Sequence, residues 1–201
     1  MTVHLVHGFN VYDGGRNTVA RLAPYFPPGT ARVHNYGWTG LLRLRRVNRR
    51  AVDDLMAAVK PGDFLIGHSN GALICWEVAQ RLGAQLGGVV VINPSMRRDT
   101  LWPEGLPVLC LANATDWVVQ MGRAWGRLVS LGGLTPHGWG AAGRYGFTAG
   151  QRNVVSLDTS DSWWTEPVKG HSGVFHPPGL DYWGAKVAGW VDRPRGTAAR
   201  Q

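Results

Sequence analysis

The 201-residue sequence is poor in cysteine and in acidic residues, and it contains no long apolar run. Its two cysteines, Cys75 and Cys110, each sit inside an apolar stretch, so buried free thiols are expected rather than a disulfide framework. No segment approaches the ~18 apolar residues that span a bilayer. His4 and His7 interrupt the short apolar start, and no basic segment precedes it. The sequence therefore reads as lacking a signal peptide, with a cytoplasmic location as the expectation. H-E-x-x-H and similar ligand spacings are missing too, so no metal is expected.

Acidic residues number 13 against 21 basic ones, giving a net charge of +8. Five arginines (Arg43, Arg45, Arg46, Arg49, Arg50) fall within eight positions. They form a solvated helix face in the plain reading and an attraction for an anionic partner in the functional one. No zinc-finger or RNA-binding signature accompanies them, so nucleic acid is not the expected partner.

What is present is a globular alternation. Apolar residues make up 44% of the chain and are spread along all of it, enough for one domain over residues 1–192, with a loose basic tail over 193–201. Short apolar runs read as strands at 2–6, 31–36, 64–66, 89–92, 108–111 and 154–157. The runs near 90 and 110 are apolar without alternation, which fits central strands covered on both faces. Helical spacing appears in Val19, Leu22, Ala23 and Phe26, in Val52, Leu55, Met56 and Val59, and in Leu180, Trp183, Val187 and Val191. Residues 71–82 and 118–131 also read as helices. Strand-helix alternation predicts an α/β fold with a mostly parallel sheet of about six strands and helices on both faces. Residues 132–152 carry seven glycines; this irregular loop is expected at the sheet edge away from the strand C-termini.

Gly67-His68-Ser69-Asn70-Gly71 matches G-x-S-x-G and lies between a short apolar strand and an apolar helix. A sharp strand-to-helix turn would lift the Ser69 side chain above the sheet, and glycine on either side removes side chains that would clash. The helix N-terminus would then aim its free N–H groups at a developing oxyanion, with Asn70 N–H as the first donor. His7-Gly8-Phe9 follows the first strand, and Phe9 N–H is expected as the second. His68 reads as structural and pointing away from the reacting groups.

These features resemble the α/β-hydrolase superfamily, in which the order is oxyanion loop, nucleophile, acid, histidine. The resemblance covers residues 2 to about 191. The chain departs from it by starting at the strand that bears the oxyanion loop and by leaving only residues 93–106 where a lid is often inserted. The resemblance thus implies a minimal fold with no cap domain. It also implies a serine hydrolase that cleaves a carboxylic ester through an acyl-enzyme, with no cofactor.

By this resemblance the acid is Asp116, after the strand at 108–111, with Asp99, Asp158 and Asp161 as fallbacks; Asp116 would equally serve as a helix N-cap. The base is His171, in Gly170-His171-Ser172-Gly173, with His176 as the runner-up. Trp117, Trp163 and Trp164 are placed to contact a small-molecule or surface-bound ester. Thioesterase, lipase or amidase chemistry would use the same groups, as would a lyase or cofactor-free peroxidase. A binding module that keeps the fold without turnover is the reading from another class.

Overall fold

Six short runs become six strands, and the inner four bury both faces of the backbone between two helical layers. In the computed structural model they are β1 (Val3–Val6), β2 (Ala31–His34), β3 (Phe64–His68), β4 (Gly88–Ile92), β5 (Val108–Ala112) and β6 (Val154–Asp158). The helices are α1 (Leu44–Ala58), α2 (Asn70–Leu82), the short α3 (Ala142–Tyr145) and α4 (Gly179–Val191). The structure describes residues 1–9, 11–37, 44–119, 121, 139–148, 150–160 and 169–193. Most of the helix expected at 118–131 lies outside these, as do Arg43, Asp161, Trp163, Trp164 and the tail beyond 193.

The sheet order is β2-β1-β3-β4-β5-β6 and every neighbouring pair is parallel. β3 and β4 are buried along their whole length, whereas the edge strands β2 and β6 are partly exposed. On one face Leu65, Val89, Val91 and Cys110 pack with Val52 and Leu55 of α1 and Ile74 and Val78 of α2. On the other, Leu5, Ile66, Val90 and Leu109 pack with Leu22, Phe175 and the Trp183, Val187 and Val191 stripe of α4. Cys75 and Cys110 are free and buried. Burial raises both thiols, that of Cys110 to about 12.

Residues 19–26 depart from the expected α-helix. Val19–Tyr25 forms a 3-10 helix that contains Pro24. Proline has no N–H to give the carbonyl four residues back, and its ring crowds that carbonyl, so the tighter turn prevails. The 93–107 connection carries neither helix nor strand, so no cap rises between β4 and β5. Among the described residues no helix is long and apolar enough to cross a membrane.

The order places the first turning point of the sheet between β1 and β3: the chain steps one way to β2, then back past β1 to β3. In parallel sheets ligands bind at such a switch point, outside the strand C-termini. Gly8 and Ser69 follow those two strands.

Candidate active site

Ser69 ends β3 in a conformation that L-residues avoid, with φ 55° and ψ −119°. A non-glycine held there is strained, and the surroundings must enforce it. They do so by close approach. A Cβ at Gly67 would lie 2.6 Å from the Gly71 carbonyl oxygen, and one at Gly71 would lie 2.5 Å from that of His7. Only glycine lets β3 turn directly into α2 against β1. Ser69 Oγ lies 3.0 Å from Ser95 Oγ, and the Ser95 N–H donates to the Ser69 carbonyl at 3.3 Å.

Asp116 and His171 are 55 residues apart in sequence and meet at 2.7 Å, His171 Nδ1 to Asp116 Oδ2. The carboxylate is fully buried, and both of its oxygens are engaged. Oδ2 also accepts from Asn93 Nδ2 at 2.9 Å, and Oδ1 accepts the Val119 N–H at 3.1 Å. Asp116 is therefore an N-terminal cap and a histidine partner at once, one oxygen for each task. Burial opposes its charge, but the hydrogen bond and charge of His171, then Asn93 and the Val119 N–H, hold the carboxyl below its ordinary range. No hydrogen bond joins His171 to Ser69 among the described residues; Ser95 is the hydroxyl's partner.

His68 lies beside His171, contrary to the expectation that it points away. Their ring centroids are 4.8 Å apart, and His68 Nε2 donates to the His171 carbonyl at 3.1 Å. The reason is strand alternation: Phe64, Ile66 and His68 share the face against which Phe175 and the 171 loop pack. Its structural character stands, because burial and then the neighbouring His171 lower the imidazole to about 3 and keep it neutral.

The backbone around Gly8 lies directly against the serine, since a Cβ there would come 3.0 Å from Ser69 Cβ. The Phe9 N–H and the Asn70 N–H, first of α2, donate to no acceptor among the described residues. Trp117, next to Asp116, stands 61% exposed. His176 is exposed and accepts from Arg21 at 3.2 Å, and Asp99 pairs with Arg97, so neither has joined the cluster. Asp158 instead caps the turn at Ser160.

The glycine-rich segment corrects a further expectation. Of its described residues, 139–148 lie at the C-terminal end of β4 and β5: the Asn113 N–H donates to the Gly143 carbonyl, and the Ala142 N–H to that of Met96. Cβ atoms at Gly140 or Gly143 would collide with the backbone of Arg97 and Asn93. Gly140 and Gly143 permit close packing beside the site rather than a distant loop. This brings the Trp139 ring 5.9 Å from that of Phe9. Trp139, Ser95 and Asn93 were not anticipated. Asn93 had a signal, a polar residue ending the 89–92 run; the other two had none. No group of three or more His, Cys, Asp or Glu side chains suited to a metal occurs among the described residues.

No protein-family model matches the sequence, and no curated protein does. Solved structures do match, across nearly the whole chain. A hydrolase from Oleispira antarctica is 11% identical, with TM-score 0.60, covering 96% of this chain and 91% of that one. A monoacylglycerol lipase from Paleococcus ferrophilus is 12% identical, with TM-score 0.54, covering 94% and 93%. A YdeN-like hydrolase from Pectobacterium atrosepticum is 17% identical, with TM-score 0.53, covering 95% and 90%. The chain has the fold of the α/β-hydrolase superfamily. It is a form with six parallel strands and no cap between β4 and β5.

Proposed function

We propose that this protein is a serine hydrolase that cleaves a carboxylic ester through an acyl-enzyme, with Ser69 as nucleophile, His171 as base and Asp116 as the acid that orients it. The observation that carries the reading is the 2.7 Å Asp116–His171 pair, whose histidine packs on His68, the residue before a serine held at positive φ. A serine hydroxyl is too weak a nucleophile at neutral pH unless a base takes its proton during attack. Asp116, held ionised, fixes the proton on His171 Nδ1 and leaves Nε2 free to act. When substrate enters, Ser69 Oγ exchanges Ser95 for the imidazole; such hydrogen bonds are commonly long before substrate binds and tighten afterwards.

Ser69 Oγ then attacks the carbonyl carbon and its proton passes to His171 Nε2. The carbonyl oxygen becomes an oxyanion facing the Phe9 and Asn70 N–H groups. Collapse expels the alcohol, which takes the proton from His171. Water, deprotonated by His171, attacks the acyl-serine; the bond from carbon to Oγ breaks, the carboxylic acid leaves and Ser69 Oγ takes the proton back from His171. Each oxyanion donor is typically worth about 100- to 1,000-fold in rate.

On the substrate side, exposed Trp117 supports an open platform beside the acid, and Phe9 with Trp139 supports an aromatic wall beside the oxyanion loop. Trp163 and Trp164 belong to the same proposal. Arg45, Arg46, Arg49 and Arg50 are exposed on α1 and form no salt bridge among the described residues, which supports an anionic partner or an anionic surface bearing the ester.

The test is labelling with a fluorophosphonate together with an acyl-chain series of p-nitrophenyl esters and thioesters. Wild-type protein should be labelled and turn over esters, and Ser69→Ala should do neither while keeping its fold. Ester turnover undiminished in Ser69→Ala would refute the assignment. Failure of the wild type to label or turn over would favour the binding-module reading.

A further inference from the structure

Both proposed oxyanion donors hang on one buried polar network that the reaction itself does not use. Tyr36, two residues past β2, stacks on the His7 ring at 4.1 Å and 17°. Its hydroxyl lies 2.7 Å from the Gly8 carbonyl oxygen and 2.8 Å from that of His7, so its one proton is shared between them. His7 Nδ1 also lies 2.8 Å from the Gly8 carbonyl. On its acceptor side, the Tyr36 hydroxyl takes a longer hydrogen bond from Asn70 Nδ2 at 3.4 Å. Asn70 is in turn locked to Asn48 of α1 by a reciprocal pair, Asn70 Nδ2 to Asn48 Oδ1 at 2.9 Å and Asn48 Nδ2 to Asn70 Oδ1 at 3.2 Å.

From this juxtaposition we propose that Tyr36 and Asn48 are positioning residues that set the oxyanion hole, Tyr36 by clamping the peptide that presents Phe9 N–H and Asn48 by locking the residue that presents Asn70 N–H. The proposal rests on the serine-hydrolase reading. A trans peptide points its C=O and its N–H in opposite directions. Holding the Gly8 carbonyl against Tyr36 and His7 therefore turns the Phe9 N–H the other way. The Asn70 side chain, engaged through both its oxygen and its nitrogen, cannot swing without stranding buried polar groups, and the residue beside the nucleophile is fixed with it. One hydroxyl thus ties the two donors to each other. Burial raises the Tyr36 phenol well above its ordinary value, so it stays a donor across any working pH. A transition-state oxyanion rewards donors already aimed at it, and a loosened hole loses part of that reward while ground-state binding is spared.

The test is Tyr36→Phe, which keeps the stack on His7 and removes only the hydroxyl. It is measured by p-nitrophenyl butyrate kinetics and by affinity for an arylboronic acid, whose serine adduct carries a tetrahedral oxyanion. Expected are a fall of about tenfold in kcat, an unchanged KM, and a parallel loss of about tenfold in boronate affinity, smaller than deletion of a donor would cause. Asn48→Ala should move the same two quantities in the same direction, and it carries the test if Tyr36→Phe does not fold. A folded variant with wild-type kcat and boronate affinity, or with a change in KM alone, overturns the proposal. If that happens while wild-type Ser69 still labels with fluorophosphonate, the hydrolase reading survives and the positioning role falls. If the wild type itself neither labels nor turns over, both fall.

Discussion

Acid should weaken this fold well above the pH at which its carboxylates titrate, and His68 should account for a measurable share. In the folded chain burial and the neighbouring His171 put the His68 imidazole at about 3, against an ordinary value of 6.5. Between those limits the unfolded chain takes up a proton that the folded chain refuses. Stability from this residue is complete above pH 6.5 and is lost as pH falls toward 3, by about 1.4 kcal/mol per pH unit. From pH 7 to pH 5 the loss through His68 is about 2 kcal/mol, or roughly 4–8 °C in Tm for a chain of this size.

His4 and His34 are also lowered by burial, His34 to about 4, and act with the same sign. Asp116 is silent in this window, because its carboxyl is ionised above the usual range in both states. His68→Phe isolates the one residue. Phenylalanine gives up the hydrogen bond to the His171 carbonyl and also removes Nδ1, which is buried without a partner. The variant and the wild type should therefore be similar in stability at pH 7 and diverge by about 2 kcal/mol at pH 5, with the variant the more stable. Urea unfolding followed by tryptophan fluorescence at pH 7, 6 and 5 measures the gap. A gap that does not change with pH would refute the reasoning.

Gly71→Ala should cost at least about 3 kcal/mol or abolish soluble expression, because its Cβ meets the carbonyls of Val6 and His7 with no flexible side chain to yield; a Tm within about 2 °C of wild type would contradict the close-approach account. His171→Ala should lower p-nitrophenyl ester turnover roughly 1,000-fold or more. His176→Ala, at an exposed position paired with Arg21, should stay within about twofold of wild type in the same assay.

The sheet was legible because its physics is local. A short apolar run without alternation, bounded by turn residues, fits a strand covered on both faces, and β4 and β5 are so covered. The elbow was legible because two glycines around one serine leave few alternatives to a tight turn. What failed depended on partners distant in sequence. Nothing in residues 132–152 tells that Gly140 and Gly143 fit against Arg97 and Asn93, since a glycine that permits contact looks the same as one that permits motion. The side His68 takes follows from the parity of β3, which puts it with Phe64 and Ile66, and not from the exposure of the elbow. Val19–Tyr25 was given the wrong helix because spacing outweighed Pro24.

One regularity in the sequence reaches further than any single motif. Five strands are each followed at once by a buried polar residue: His7 after β1, Ser69 after β3, Asn93 after β4, Asn113 after β5 and Thr159 after β6. Burying a polar group costs free energy unless a partner is supplied, so five such residues along one edge would be an odd choice for stability alone. Their partners show what the edge is built to hold. His7 bonds the Gly8 carbonyl, Asn93 bonds Asp116, and Asn113 both bonds Thr159 and accepts from the Thr115 hydroxyl, whose oxygen in turn accepts the Gly170 N–H beside His171. Each fixes a loop that presents a proposed catalytic group. Among the described residues the opposite end carries a buried hydrogen-bonded pair, His4 with Asp63; burial disfavours charge on the imidazole, and the carboxylate also accepts from the backbone N–H groups of Thr2 and Lys60. A buried polar residue closing five of the six strands thus marks the edge that holds the proposed catalytic groups, and the spacing of those residues is set by the strands rather than by the chemistry.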